Sequence, residues 1–384
     1  MKICIDGRCL MGGRRTGVEE YTRNLLDNIF NIDKKNEHVL FLNSWKKIGA
    51  DFSWLEKYPN VSLKKFRFPN KILNLMFWYL NWPKIDKLVG GADVVFFPNI
   101  IFGSVSKKTK VVNTIHDLSF ERHGEYFFGK MKWWHIFINP KKSCLRSNKI
   151  IAVSESTKND LITFYKIASE KIKVIYSGVA DEFCIIDRNE AELIKVKEKY
   201  KLPYKFILSF GTIEPRKNII GLVKAFNLLQ KEKEDEFKKY ELIIVGEKGW
   251  SSDKILKEID KSPFKEKIRL IYSVPNEDKV YLYNLASLFV YPSFFEGFGF
   301  PPLEAMKCGV PVVCSNNSSL PEVAGGAAIM IDPDKPDEIF LAMKKILEKP
   351  ELRSILVQKG LKKAQEFDWK KTAQETLGIL QNKL

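Results

Sequence analysis

The chain has 384 residues, 45% of them hydrophobic, and a net charge of +16. That length suits two domains of ordinary size, and that hydrophobic content excludes a disordered chain. No run of eighteen apolar residues occurs, so no membrane-spanning helix is expected, and Asp6 and Arg8 interrupt the opening "MKICIDGRCL" where a secretion signal needs an unbroken apolar core.

The first half opens on a strand, "KICID", and a glycine-containing loop, "GRCLMGGRRTG". The helix "VEEYTRNLLDNIF" follows, with Val18, Tyr21, Leu25, Leu26 and Ile29 at helical spacing. "HVLFLN" and "ADVVFFP" read as strands, and "KVVNTIHDLSF" as a buried strand ending at His116 and Asp117. "KIIAVSESTKNDLITFY" is a strand, a serine cap and a helix, and "KIKVIYSGV" is another strand. The pattern then restarts. "FILSFGTIEPRKN" is a strand and loop before the helix "IIGLVKAFNLLQKEK"; "YELIIVGEKG", "KIRLIYSV", "LFVYPS" and "PVVCS" are further strands. Strand–helix alternation predicts parallel sheets with crossover helices. Two such sets, divided near "VADEFCIIDRNEAE", predict an α/β protein of two doubly wound, Rossmann-like domains facing across a cleft.

Six cysteines lie scattered at 4, 9, 144, 184, 308 and 314, with no C-x-x-C among them and only four histidines in the chain. Reduced thiols are expected, not a zinc site or a disulfide framework. The charge is lopsided: residues 1–180 hold 30 Lys and Arg against 16 Asp and Glu, while the remainder holds 33 against 31. A basic first half is compatible with an AT-rich genome, an anionic membrane, an acidic substrate or nucleic acid.

Two stretches carry candidate chemistry. In "GTIEPRKN", Gly211 permits a tight turn, and Arg216 and Lys217 stand near the start of the next helix. Backbone amides and adjacent cations there favour an anion; a solvated surface pair is the plain alternative. In "SFFEGFGFPPLEAMKCGVPVV", Glu296 and Glu304 lie eight residues apart. Gly297, Gly299, Pro301 and Pro302 forbid a helix through the middle, so Glu296 belongs to a loop and Glu304 to the first turn of the following helix. Pro301 or Pro302 suits the first helical position. Amides around 297–300 would cradle phosphate. Carboxylates beside phosphate are repelled, so Glu296 and Glu304 should face neutral hydroxyls. For Glu304, stabilising the helix start is the alternative role. "DPD" at 332–334 reads as a turn and helix start, not a metal motif.

These stretches resemble the retaining family-4 glycosyltransferases, which have the GT-B fold. "E296-GFGFPPL-E304" matches the E-x7-E motif of that family. "AVSESTKNDL", "KVIYSGV", "FGTIEPRKN", "VPVV" and "LPEVAGGAA" follow in the family's order over essentially the whole chain. The wording "TIHDLSFERHGEYF" and "SLPEVAGGAAIMIDP" resembles the O-antigen mannosyltransferase branch.

The resemblance implies a nucleoside-diphosphate-sugar donor, with GDP-mannose favoured. It implies an acceptor-binding domain over 1–180, a donor-binding domain over 181–366, and a final helix, about 367–384, packing back on the first. Lys217 and Arg216 would neutralise the diphosphate, and Glu304 would take ribose hydroxyls. Glu296 would hold the donor sugar with the amides of Phe298 and Gly299. Gly297, Phe300 and Leu303 complete that donor loop, Val274 belongs to the base-binding segment "YSVP", and His116 reaches the donor sugar. The loop at Gly12, Gly13 and Gly17 would abut the diphosphate. Thr212 departs from relatives that carry Arg there. No cofactor and no metal is expected.

The configuration at the anomeric carbon is retained in the family. No carboxylate is evident as nucleophile for a double displacement, which favours a front-face route in which the leaving phosphate helps deprotonate the acceptor.

The acceptor side is a glycan or lipid-linked glycan in surface polysaccharide synthesis. The basic-aromatic segments 64–84 and 126–142 suit an anionic membrane, placing the protein in the cytoplasm or peripherally on the inner membrane face; buried aromatics beneath exposed lysines are the alternative. Competing readings are a UDP-sugar donor, a GT-B relative that epimerises or phosphorolyses sugars, and a basic nucleic-acid-binding protein. No nucleic-acid motif supports the last.

Overall fold

The structure is a computed structural model and describes residues 1–12, 16–122 and 137–382. The chain divides into two units: Met1–Gly178 with Asp368–Leu384, and Val179–Phe367.

The first unit holds a seven-stranded sheet in the order β3-β2-β1-β4-β5-β6-β7. The strands are β1 (Lys2–Asp6), β2 (Glu37–Asn43), β3 (Val61–Phe66), β4 (Val94–Phe97), β5 (Lys110–Ile115), β6 (Lys149–Ala152) and β7 (Ile172–Val174). Every pairing is parallel. Most strands are apolar along their length because helices cover both faces of a doubly wound sheet. Helix α1 (Gly17–Ile32) is capped by Thr16, whose hydroxyl accepts the Glu19 amide, and buries Tyr21, Leu25, Leu26, Ile29 and Phe30. Helix α2 (Asn70–Tyr79) buries only Leu73 and Phe77, and α3 (Glu155–Tyr165) buries Leu161 and Tyr165. The last helix, α8 (Trp369–Leu380), packs on α1. Trp369 stands 5.7 Å from the Tyr21 ring.

The second unit repeats the plan with six strands in the order β10-β9-β8-β11-β12-β13. They are β8 (Phe206–Phe210), β9 (Glu241–Val245), β10 (Ile268–Ile271), β11 (Leu288–Tyr291), β12 (Val312–Ser315) and β13 (Ile329–Ile331), again all parallel. One face is closed by α4 (Ile219–Lys231) and α7 (Pro336–Glu348), which bury Leu222, Phe226, Ile339 and Met343 against the sheet. In both sheets the order reverses beside the first strand: between β1 and β4, and between β8 and β11. Crossovers leave in opposite directions there, and the crevice beyond the strand ends at that point is where such sheets take ligands.

Candidate active site

β8 and β11 are neighbours, paired through Ile207 with Leu288 and Leu208 with Phe289. The stretches "GTIEPRKN" and "SFFEGFGFPPLE" are the loops that leave these two strands. Their adjacency at the switch point brings residues far apart in sequence into one cluster. The chain after β8 makes a single 3-10 turn, Pro215–Lys217. Asn218 (φ 51°) then caps α4, accepting the Gly221 amide at 3.1 Å. The two loops are joined by their backbones, the Phe294 amide donating to the Arg216 carbonyl at 2.9 Å.

Glu296 is the centre of the cluster. Arg216 Nη1 donates to Glu296 Oε2 at 2.8 Å and to the Phe295 carbonyl at 2.8 Å. Lys217 Nζ donates to Glu296 Oε1 at 2.6 Å and to the Tyr291 hydroxyl at 2.6 Å. Arg216 also pairs with Glu214 at 2.7 Å. The Glu296 and Lys217 side chains are 9% and 12% exposed, so solvent screens these contacts weakly. Burial alone would raise the Glu296 carboxyl; Arg216, then Lys217, outweigh it and hold it at about 2. Burial, with repulsion from Arg216, lowers Lys217 despite the attraction of Glu296.

The expectation that Glu296 faces neutral hydroxyls meets a different arrangement, in which both of its oxygens lie on cations. An anionic side chain and two cations converging in one buried loop pair find each other before any ligand does.

After Glu296 the chain turns through Gly299 (φ 113°), a conformation that favours glycine. It enters helix α6 (Phe300–Lys307). Phe300, not a proline, is the first helical residue, and Pro301 follows at the second position. Glu304 is therefore fifth in the helix, just past the first turn where the spacing had placed it. Two of the four amides that leave the start of a helix without an acceptor a turn back are missing here, because prolines have none. The amides that remain in this first turn are those of Gly299 and Phe300. Leu303 is wholly buried. Glu304 is 3% exposed, and its Oε2 accepts the Tyr283 hydroxyl at 2.7 Å. Tyr283, from α5 (Asn276–Leu285), packs its ring against Phe210 and Phe289.

Three residues that the sequence reading did not single out hold this loop. Asn317 Nδ2 donates to the Phe294 carbonyl at 2.9 Å. Ser318 Oγ accepts the Glu296 amide at 3.0 Å. Ser319 Oγ lies 3.0 Å from the Glu296 carbonyl and 2.6 Å from that of Phe298. Their only signal in the sequence is a short polar run, "SNNSS", which starts at the last residue of the buried strand β12.

Two further candidates of the second unit lie in loops that follow its strands. Thr212 is exposed in the loop after β8, and Val274 is partly buried in the loop after β10. Beside it, the Ser273 amide donates to Glu247 Oε1 at 2.7 Å. In the first unit, Gly17 begins α1 and Gly12 ends the 3-10 turn Arg8–Met11; Gly13 lies outside the described residues. His116 follows β5, its Nε2 2.8 Å from the Pro98 carbonyl beyond β4. A carbonyl only accepts, so Nε2 carries the proton and Nδ1 of the neutral ring presents a lone pair. Burial lowers the His116 pKa, against the Pro98 bond and Asp117, and favours that neutral form. Tyr21 meets its ring edge-on at 4.7 Å.

Two like-ordered parallel sheets, each with candidate residues beyond its strand ends, are the paired Rossmann-like domains of the GT-B fold. Comparison with known proteins agrees. Residues 16–183 match the model described as Glycosyltransferase Family 4, and residues 190–363 that of Glycosyl transferases group 1. The O-antigen chain mannosyltransferase B of Escherichia coli is 36% identical over 269 residues, covering 70% of this chain and 69% of that protein. The serotype-specific mannosyltransferase WbdA of Escherichia coli is 34% identical over 266 residues, which is 69% of this chain but only 32% of that longer protein. Among solved structures, sucrose-phosphate synthase from Thermosynechococcus elongatus superposes with a TM-score of 0.76 at 16% identity, covering 100% of this chain and 98% of that one. The chain belongs to the family-4 glycosyltransferases.

Proposed function

We propose that this glycosyltransferase moves mannose from GDP-mannose to a glycan or lipid-linked acceptor in O-antigen or related surface polysaccharide synthesis, with retention at the anomeric carbon. The observation that carries the donor site is the buried Arg216–Lys217–Glu296 cluster at the β8/β11 switch point. Glu296 lies in the loop that leads into α6, whose first turn keeps the Gly299 and Phe300 amides and which carries Glu304. Cations and amides receive the diphosphate without a metal ion; carboxylates receive hydroxyls of the ribose and the donor sugar; the lone pair of His116 Nδ1 accepts a sugar hydroxyl. Transfer follows the front-face route, the leaving phosphate taking the acceptor proton. The mannose assignment rests on the names of the two Escherichia coli relatives.

A thermal-shift panel of GDP-mannose, UDP-glucose, UDP-GlcNAc and UDP-galactose tests this. A donor at a hundredfold its Kd stabilises by about 2.7 kcal/mol. GDP-mannose alone should do so, and Glu304→Ala should lose the effect. Stabilisation by a UDP-sugar instead would overturn the mannose assignment.

Helix α2 supplies the membrane part of the reading. Its face opposite Leu73 and Phe77 exposes Ile72, Leu75 and Tyr79, beside the basic residues Lys64, Lys65, Arg67 and Lys71. No helix among the described residues is long and apolar enough to cross a membrane; this face would lie on an anionic one. Co-flotation with anionic vesicles, reversed by salt, is the expected result, and no flotation at low salt would remove this part.

A further inference from the structure

We propose that Glu296 is an internal counter-ion that makes the donor site prefer a sugar nucleotide to the bare nucleoside diphosphate. This rests on the reading that Arg216 and Lys217 receive the diphosphate.

The two cations are already engaged. Glu296 takes one with each oxygen, at 2.8 and 2.6 Å, and Glu214 takes Arg216 from the other side. Among these four side chains, two positive charges meet two negative ones. A diphosphate arriving at Arg216 and Lys217 therefore competes with a carboxylate 9% exposed. If Glu296 stays, it repels the phosphate; if it leaves, a buried carboxylate loses both of its cations. A bare nucleoside diphosphate offers nothing in return. A sugar nucleotide brings hydroxyl donors, and a hydroxyl bond to a carboxylate is among the stronger hydrogen bonds. The cost of releasing the cations is thus offset only when the sugar is attached.

The exchange needs only a side-chain rotation. The main chain at Glu296 is pinned by Ser318 at its amide and by Ser319 at its carbonyl. Tyr291 continues to hold Lys217, and Glu214 continues to hold Arg216. Once the sugar has been transferred, its hydroxyls are gone. Glu296 returns to the cations and displaces the spent nucleotide, so the same residue that selects the loaded donor also promotes product release.

The test is calorimetric titration of GDP, UDP, GDP-mannose and UDP-glucose into the wild type, Glu296→Gln, Arg216→Ala and Lys217→Ala. Glu296→Gln should bind the bare diphosphate about tenfold more tightly or better, the scale of one charge contact in a partly buried site. It should bind the matching sugar nucleotide no more tightly than wild type does. Unchanged or weaker diphosphate binding by Glu296→Gln, with both cation variants losing it, would overturn the counter-ion role and leave the donor-site reading intact. Diphosphate binding that survives in Arg216→Ala and Lys217→Ala would overturn both. Glu296→Ala removes the same charge with less bulk and gives the same comparison if the glutamine variant does not fold.

Discussion

Replacing Ser319 by alanine removes one hydroxyl proton and leaves two carbonyls behind. The side chain is fully buried, with Oγ 2.6 Å from the Phe298 carbonyl and 3.0 Å from that of Glu296. One proton makes one strong bond and at most a weaker shared one, so the loss counts once, at about 1–2 kcal/mol for a stranded buried acceptor. In a unit the size of residues 179–367, that lowers the unfolding midpoint by about 3–6 °C. The functional effect follows from peptide geometry. A trans peptide directs its N–H opposite its C=O. By drawing the Glu296 and Phe298 carbonyls to one side, Ser319 turns the Gly297 and Gly299 amides to the other. Without it those peptide units are free to rotate, and the donor KM should rise about fivefold or more, a loss of roughly 1 kcal/mol of binding. Ser319→Thr keeps the hydroxyl and should keep the low KM. Thermal unfolding together with donor and acceptor KM values checks this. A lower midpoint with an unchanged donor KM would mean that the hydroxyl supports the fold alone. No change in either would mean that the bond contributes nothing.

Three further perturbations test neighbouring features. Tyr283→Phe removes the hydroxyl that Glu304 accepts at 2.7 Å. A bond to a charged group is worth about 1.5–3 kcal/mol, so donor affinity measured by calorimetry should fall about tenfold; unchanged affinity would detach Glu304 from the donor. Gly178→Ala would place a Cβ 2.2 Å from the Trp369 backbone nitrogen. Backbone cannot yield as a side-chain tip can, so α8 should lose its seat on α1, at a cost of about 3 kcal/mol or more. Hydrogen exchange over residues 369–380 reads it directly, and intact protection would refute it. His116 is held neutral, with its pKa below the usual 6.5. The unfolded chain then binds a proton that the fold refuses, so this contribution to stability is complete above that value and is lost as pH falls below it. The difference in unfolding midpoint between pH 7.5 and 5.5 should be smaller in His116→Gln than in the wild type, and an equal difference would refute the assignment.

Much of the architecture was legible from local pattern. The spacing of Tyr21, Leu25, Leu26 and Ile29 marks the buried face of α1, and alternating strands and helices require parallel sheets, because a parallel neighbour needs a crossover. Glycine and proline placed the turn before α6 to within a residue or two. The first helical position was misread because either proline satisfies it equally well on paper; the αL turn at Gly299 decides that the helix begins at Phe300.

The charged cluster is a different matter. Arg216 and Glu296 are 80 residues apart, and each has an ordinary local explanation. Their pairing depends on β8 and β11 being neighbours at the reversal of strand order. Repulsion between a carboxylate and phosphate was a sound reason to expect Glu296 near hydroxyls, yet it left out the cations that the adjacent loop presents to the same carboxylate. The polar run "SNNSS" shows the same limit, since serine and asparagine after a strand read as an ordinary loop until the carbonyls they meet are known. Residue identity by itself determined the kinds of chemistry available, the helical and extended segments, and the family motif, because those depend on neighbours along the chain. Only the tertiary structure decided which carboxylate meets which cation and which hydroxyl holds which carbonyl, because a hydrogen bond or ion pair is set by distance in space, and chain separation carries almost no information about it once a sheet has brought two loops side by side.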